Sequence, residues 1–473
     1  RGRWQLVGPM YVEPDCNLPS AESFKKHLKL GQDYFEQNFG KKVTVGYNID
    51  SFGHNAYLPT FLNQAGIDSY VFMRPGKSEK TLPANLFRWQ SPDRNSVTAY
   101  RISQSYLSLS PEEIIKNIEK TLQDMPANID HAMCFFGVGD HGGGPTKKQI
   151  EWILENCLYK TDVELVFSHP RAFFNSVATE KDKVQTVKGE IQHHAIGCYS
   201  VERNLKLAMS RAEDTMYKAE LTCDCFKSET DVSNEISAIE QAWKPVLFNQ
   251  FHDILGGTCL YKENILAAGE LYNSISRAQD IITSVSRKAL RNQAEPGKHR
   301  IVLFNPLKQQ FTGYICHEPW LQFRNKTKLS LFDDQQQPVE FQHVESSGLI
   351  NGLRKLIFKT SIPAQSCKLL TLVEEKNNLP KTKLFTGNEK SFDISQYSIN
   401  LDDQFTLQLE LHNDNTDTWS HSAGNSFKND CIYQFDFSSK PKQIENGPLR
   451  STMLLQDDFE NVRIYLKIML YKD

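Results

Sequence analysis

The sequence predicts a multidomain chain in which an α/β region, an all-α region and an all-β region follow one another. Three textures carry that prediction. Residues 1–195 alternate short apolar runs with amphipathic stretches, residues 196–293 read as helix throughout, and residues 300–473 read as strands parted by Asn, Asp and Gly turns. The length of 473 residues exceeds one ordinary domain.

In the first region, residues 43–47 (VTVGY), 69–73 (SYVFM), 131–136 (HAMCFF) and 163–168 (VELVFS) read as buried parallel strands. Between them, residues 23–39, 111–122 and 145–158 carry helical periodicity, so the region is expected to build βα units around a mostly parallel sheet. In such sheets chemistry gathers at the C-terminal strand ends. In the second region, residues 205–221, 232–248 and 261–291 are rich in Ala, Glu, Lys and Leu, and a three-helix bundle is the simplest packing. A polar linker, residues 291–299 (RNQAEPGKH), closes it. Beyond the linker, residues 300–304, 355–362, 405–411 and 462–470 read as strands of an antiparallel β-sandwich.

Composition excludes several classes. Hydrophobic residues at 39% and charged residues at 23% are ordinary for a soluble protein, and a net charge of -3 argues against nucleic acid as a partner. No run approaches the roughly 20 apolar residues of a membrane span. The opening Arg1-Gly2-Arg3-Trp4 is not followed by the apolar core of a secretory signal. Ten cysteines are scattered, with only Cys223 and Cys225 close together, which predicts reduced thiols and a cytoplasmic setting. Whether the chain forms a homo-oligomer stays open.

Three segments carry candidate chemistry. Val45-Gly46-Tyr47-Asn48-Ile49-Asp50-Ser51-Phe52-Gly53-His54 runs a buried strand into a carboxylate, where a catalytic group, a metal ligand or a turn cap belongs. Phe136-Gly137-Val138-Gly139-Asp140-His141-Gly142-Gly143-Gly144 lacks the spacing of a phosphate loop; its glycines either let backbone approach a ligand with Asp140 projecting or build a structural tight turn. Phe248-Asn249-Gln250-Phe251-His252-Asp253 embeds a His-Asp pair in an apolar stretch; His252 is either a satisfied core histidine or a metal ligand beside a substrate-binding carboxylate. His193 and His194 are weaker candidates.

Taken together, these segments resemble glycoside hydrolase family 38, the α-mannosidases, in their bacterial and cytosolic branch. The resemblance also takes in Glu13-Pro14-Asp15-Cys16-Asn17, Tyr70-Val71-Phe72-Met73-Arg74-Pro75, Gly197-Cys198-Tyr199-Ser200, Arg211-Ala212-Glu213 and, further on, Phe304-Asn305-Pro306-Leu307. It implies a seven-stranded β/α barrel, a three-helix bundle and β-sandwich domains. It also implies a retaining α-mannosidase acting on α-mannosides, with Asp50 as nucleophile and zinc ligand, His252 as a second ligand of one Zn²⁺, and Asp140 as general acid/base. Asp253 and Arg74 would bind substrate or fix the nucleophile side, and Phe52 would line the sugar subsite. The family's H-x-D pair, which supplies two further zinc ligands, has no copy upstream of Asp50, so the chain is expected to be incomplete at both ends.

Two other functions fit the same residues. In a zinc-dependent carbohydrate deacetylase, Asp50 would be a base and no glycosyl-enzyme would form. In an inactive carbohydrate-binding homologue, the metal would be missing.

Overall fold

The computed structural model describes residues 4–158, 162–192, 194–291, 299–319, 328–345 and 354–374, then stretches between 386 and 472. Two compact units divide the chain. The first takes in Arg1–Glu220 and Ser233–Ile281, and the second Leu221–Val232, Ile282–Asn413 and Phe427–Asp473.

The first unit is built on β1 (Val45–Asn48), β2 (Ser69–Phe72), β3 (Leu86–Gln90), β4 (Ser96–Arg101) and β5 (Thr186–Lys188), in the order β1-β2-β4-β3-β5. All pairs are parallel except β3 with β4. The strands named at 43–47 and 69–73 are therefore present, and their apolar character follows from burial on both faces. Tyr70, Phe72, Phe87 and Trp89 point to one core, and Val45, Val71, Leu86 and Tyr100 to another. The described residues close no seven-stranded barrel, since these five strands form an open sheet. Residues 131–136 and 163–168 do not join it. The first has no regular secondary structure, and its Met133, Phe135, Cys134 and Phe136 are half-buried against two different cores; in the second only Glu164 makes an isolated bridge, to Leu158. Apolar content was the signal for both, and apolar content alone does not specify a ladder.

Helix α1 (Ala21–Phe39) starts where the Ser20 side chain accepts from the Ser23 amide, and it ends at Gly40 in the left-handed region. Around the sheet lie α2 (Leu58–Gln64), α3 (Pro111–Asp124), α4 (Lys147–Glu155) and α5 (Pro170–Ser176). The all-α stretch holds α6 (Arg203–Phe226), α7 (Ser233–Phe248), the single turn α8 (His252–Leu255) and α9 (Tyr261–Leu290). Buried residues recur at helical spacing on each long helix: Ala208, Ala212, Met216 and Ala219 on α6; Ile239, Ala242, Trp243 and Val246 on α7; Leu271, Ile275 and Ala278 on α9. Polar bonds tie them together. Trp243 Nε1 donates to Glu220 at 2.9 Å, and Asn249 Nδ2 to Glu270 at 2.7 Å.

In the second unit, one antiparallel sheet orders β6 (His299–Asn305), β12 (Ser366–Glu374), β8 (Leu329–Phe332) and β9 (Pro338–Val339) as β6-β12-β8-β9. Another orders β10 (Phe341–Glu345), β11 (Arg354–Ile362) and β7 (Phe311–His317) as β10-β11-β7. Ile301, Leu303, Leu331, Leu370 and Leu372 from the first sheet share one apolar core with Leu356, Phe358 and Ile362 from the second. Further antiparallel strands follow, among them Phe405–His412 paired with Asn429–Phe437, and Arg450–Phe459 paired with Val462–Tyr471. Nine described cysteines are free thiols. No described helix is long and apolar enough to cross a membrane.

One buried histidine yields a stability prediction. His27 on α1 is fully buried, Nε2 faces Gln250 Oε1 at 2.9 Å, and burial pushes the imidazole down to about 4. The folded chain therefore keeps His27 neutral while the unfolded chain takes up a proton below the ordinary value of 6.5. Stability from this group is present above pH 6.5 and is lost as pH falls toward 4, costing about 2 kcal/mol at pH 5. Glu13, which burial pushes up, works in the opposite direction, so a comparison of variants isolates the His27 contribution. In urea unfolding, His27→Leu is expected to lose about 2 kcal/mol less than the parent between pH 8 and pH 5. Parallel pH profiles would contradict the buried, neutral histidine.

Candidate active site

Three parallel strands deliver the central groups. β1 ends at Asn48 and is followed by Asp50, β2 ends at Phe72 and is followed by Arg74, and β4 ends at Arg101 and leads to Tyr106. Because β1, β2 and β4 are adjacent and run the same way, all three residues emerge at one edge of the sheet. Arg74 Nε donates to Asp50 Oδ1 at 3.2 Å, with both side chains about a third exposed (33% and 28%), so the pair is open to solvent yet anchored. Partial burial, then Asp50 and Asp140, pushes the Tyr106 hydroxyl up, which places it in the field of both carboxylates.

The loop carrying Asp140 hangs on Ser108. The Ser108 amide donates to the Gly137 carbonyl at 2.8 Å, its hydroxyl accepts from the Gly137 amide at 3.3 Å, and Val138 N–H closes on the Gly144 carbonyl at 3.0 Å. Glycine is required at 143: its φ is +140°, and a Cβ there would meet the Val138 carbonyl oxygen at 2.7 Å. Asp140 itself has φ +73°, is exposed, and pairs with His141 Nδ1 at 3.0 Å.

His252 opens α8 and is stitched to the start of the chain. Pro14 and Phe251 form a bridge, Asp15 N–H donates to the Gln250 carbonyl at 2.8 Å, and His252 Nδ1 lies 2.8 Å from the Glu13 carbonyl. A carbonyl only accepts, so Nδ1 carries a proton, and in the neutral ring Nε2 is the nitrogen left with the lone pair that a metal ligand uses. Asp253 Oδ2 stands 3.8 Å from Nε2, beyond hydrogen-bond length. Phe52 is 1% exposed and packs its ring 5.7 Å from both the His194 and His252 rings, so it backs two imidazoles rather than standing open to solvent.

The donor chemistry fits a metal only in part. His252 has its Nδ1 tied to a carbonyl and Asp50 supplies a carboxylate, but among the described residues no three His, Cys, Asp or Glu side chains gather into a ligand set.

Sequence reasoning missed three residues here. Glu13, half-buried beside Asp50, has its carboxyl pushed up to about 7, chiefly by desolvation and then by Asp50. Tyr106 lies in a loop without a motif. Glu79 reaches the site only through His194 Nδ1, at 2.6 Å. The Glu13-Pro14-Asp15 block was the one available signal, and its role could not be read from spacing.

Residues 1–194 match the N-terminal domain of glycosyl hydrolases family 38, and residues 192–289 match the α-mannosidase middle domain. Human Alpha-mannosidase 2C1 is 28% identical over 318 residues, covering 65% of this chain and 30% of the human protein. Alpha-mannosidase G of Dictyostelium discoideum is 30% identical over 267 residues, covering 55% of this chain and 24% of that protein. The chain thus spans less than a third of the length of these relatives. Among solved structures, an α-mannosidase from Enterococcus faecalis V583 superposes with a TM-score of 0.72 at 15% identity, over 98% of this chain and 63% of that one, a likeness of fold. Through its N-terminal and middle domains, this chain belongs to glycoside hydrolase family 38.

Proposed function

We propose that the chain is the catalytic part of a retaining α-mannosidase that cleaves α-mannosides through a mannosyl-Asp50 intermediate. The observation that carries this reading is the Asp50 carboxylate at the exit of β1, held by Arg74 Nε at 3.2 Å and facing the same edge as Tyr106. A carboxylate on a rigid strand end, anchored by Arg74 and beside the Tyr106 hydroxyl, is presented for attack on the anomeric carbon with little loss of entropy. Asp140, on its glycine-built loop, would protonate the leaving oxygen and later deprotonate the incoming water. Asp253, beside His252, would accept hydrogen bonds from sugar hydroxyls.

A Zn²⁺ ion would be held by Asp50 and His252, and when bound would polarise the sugar's vicinal hydroxyls as a Lewis acid. The Nδ1–H tautomer of His252 supports this assignment. The free thiols support a reducing, cytoplasmic setting.

Reaction with a slow 2-deoxy-2-fluoro or 5-fluoro mannosyl fluoride, followed by peptide mass spectrometry, tests the reading. A mannosyl adduct on Asp50 is expected. An adduct on another carboxylate overturns the assignment, and an enzyme that deacetylates sugars would give none. A second outcome concerns the acid. Asp140→Ala is expected to slow mannosides with poor leaving groups by about 10²-fold or more, and aryl mannosides with good leaving groups far less. Equal losses on both would move the acid role elsewhere.

A further inference from the structure

Behind Arg74 stand two residues that the function above does not use. His194 Nε2 lies 3.0 Å from Arg74 Nη1, and His194 Nδ1 lies 2.6 Å from Glu79 Oε1. A guanidinium only donates and a carboxylate only accepts. Nε2 must therefore be a bare acceptor, and the single ring proton sits on Nδ1, directed at Glu79. A second proton would have to point at Arg74, which the geometry forbids. Burial accordingly lowers the His194 pKa; Glu79 and Asp50 pull it up and Arg74 pushes it further down.

Arg74 is fixed at its backbone as well. His54 is fully buried and its Nε2 donates to the Arg74 carbonyl at 2.9 Å, while its Nδ1 accepts from the Tyr70 hydroxyl at 3.0 Å. Backbone and guanidinium are thus held from opposite ends, and the guanidinium meets Asp50 through Nε.

We propose that His194 is a positioning residue. Held by Glu79 in its Nδ1–H tautomer, it accepts from Arg74 Nη1 and so fixes the guanidinium orientation that presents Nε to Asp50 Oδ1. Asp50 is thereby held in one orientation through Oδ1. The catalytic consequence rests on Asp50 being the nucleophile; the network itself does not. His194 touches neither sugar nor reacting atoms in this scheme and acts through Arg74 alone.

Nuclear magnetic resonance of the intact chain, labelled with ¹⁵N at histidine and arginine, tests this. Long-range ¹H–¹⁵N correlation is expected to show His194 as the Nδ1–H tautomer, and that measurement needs no variant. The Arg74 Nε–H is expected to exchange about tenfold faster in His194→Ala and in Glu79→Ala, and His194→Gln, whose Oε1 can accept from Nη1, should restore most of the protection. The rate of Asp50 mannosylation by the fluorinated sugar should fall about tenfold in His194→Ala, the usual scale for a residue that orients a catalytic group. An Nε2–H tautomer, or an Arg74 exchange rate unchanged by His194→Ala, overturns the proposal. Should the tautomer and the exchange rates behave as expected while no variant, parent included, is labelled at Asp50, the network stands and the mannosidase reading falls.

Discussion

Asp50→Asn is expected to lower the turnover of an aryl α-mannoside by about 10³-fold or more, a barrier increase of about 4 kcal/mol. The substitution is informative because it is nearly isosteric. An Asn side-chain oxygen can still accept from Arg74 Nε at the position Oδ1 holds now, 3.2 Å away, so the strand end and its anchor should keep their shape. What disappears is the negative charge and the nucleophilic oxygen. Unfolding free energy should therefore move by less than about 1 kcal/mol while the rate collapses, because the pair is part-exposed and such pairs contribute little to stability. Metal retention should weaken in the same variant if Asp50 is also a ligand, which a zinc titration reads independently of rate. Turnover near that of the parent would end the reading of Asp50 as nucleophile, whatever the metal content.

What the sequence made legible was what short-range pattern encodes. An apolar strand leading into a charged residue found Asp50, the family resemblance supplied Arg74, and both emerge from strand ends at one edge of the sheet. Helical periodicity found α1, α3, α6, α7 and α9 to within a few residues. Where the pattern was apolar without alternation or length, it misled, as at residues 131–136. The β3–β4 hairpin went unnamed although its turn is chemically marked: the Asp93 side chain accepts from Thr60 Oγ1 at 2.7 Å, and the Ser91 amide closes on the Asn95 carbonyl at 2.9 Å. Tyr106 and Glu79 could not be read at all, and Glu13 only as part of a matching block without a role. Each owes its place to the meeting of segments far apart in sequence, and no local spacing announces that. Phe52 shows a subtler limit. The resemblance gives it a place lining the sugar subsite; the structure buries it among His194, His252, Ala195 and Cys198, beneath the imidazoles.

The largest effect on stability is expected at Glu213, a carboxylate on α6 that is only 9% exposed. Its Oε1 accepts from the Ser20 amide at 2.7 Å, the Ser23 hydroxyl at 2.6 Å and Gln250 Nε2 at 2.9 Å. Gln250 in turn donates to Ser23 Oγ at 3.0 Å and takes His27 Nε2 on its own oxygen at 2.9 Å. One carboxylate oxygen thus joins the cap of α1, the middle of α6 and the segment that leads two residues later into His252. Glu213→Leu removes the acceptor of the part-buried Ser20 amide and of the buried Ser23 hydroxyl, while Gln250 Nε2 keeps Ser23 Oγ; at about 1–3 kcal/mol for each buried group left without a partner, a loss of about 3 kcal/mol is expected. Glu213→Gln keeps an oxygen for those donors but gives up the charge and adds an amide that needs acceptors, so about 1–2 kcal/mol is expected. Urea unfolding followed by tryptophan fluorescence measures both, and amide hydrogen exchange locates the damage. The Ser20 amide should lose protection in the Leu variant ahead of the sheet amides of β2, since the break begins at the α1 cap. A cost under about 1 kcal/mol for Glu213→Leu, with Ser20 still protected, would mean that apolar packing of α1, rather than this carboxylate, holds the His252 segment in place.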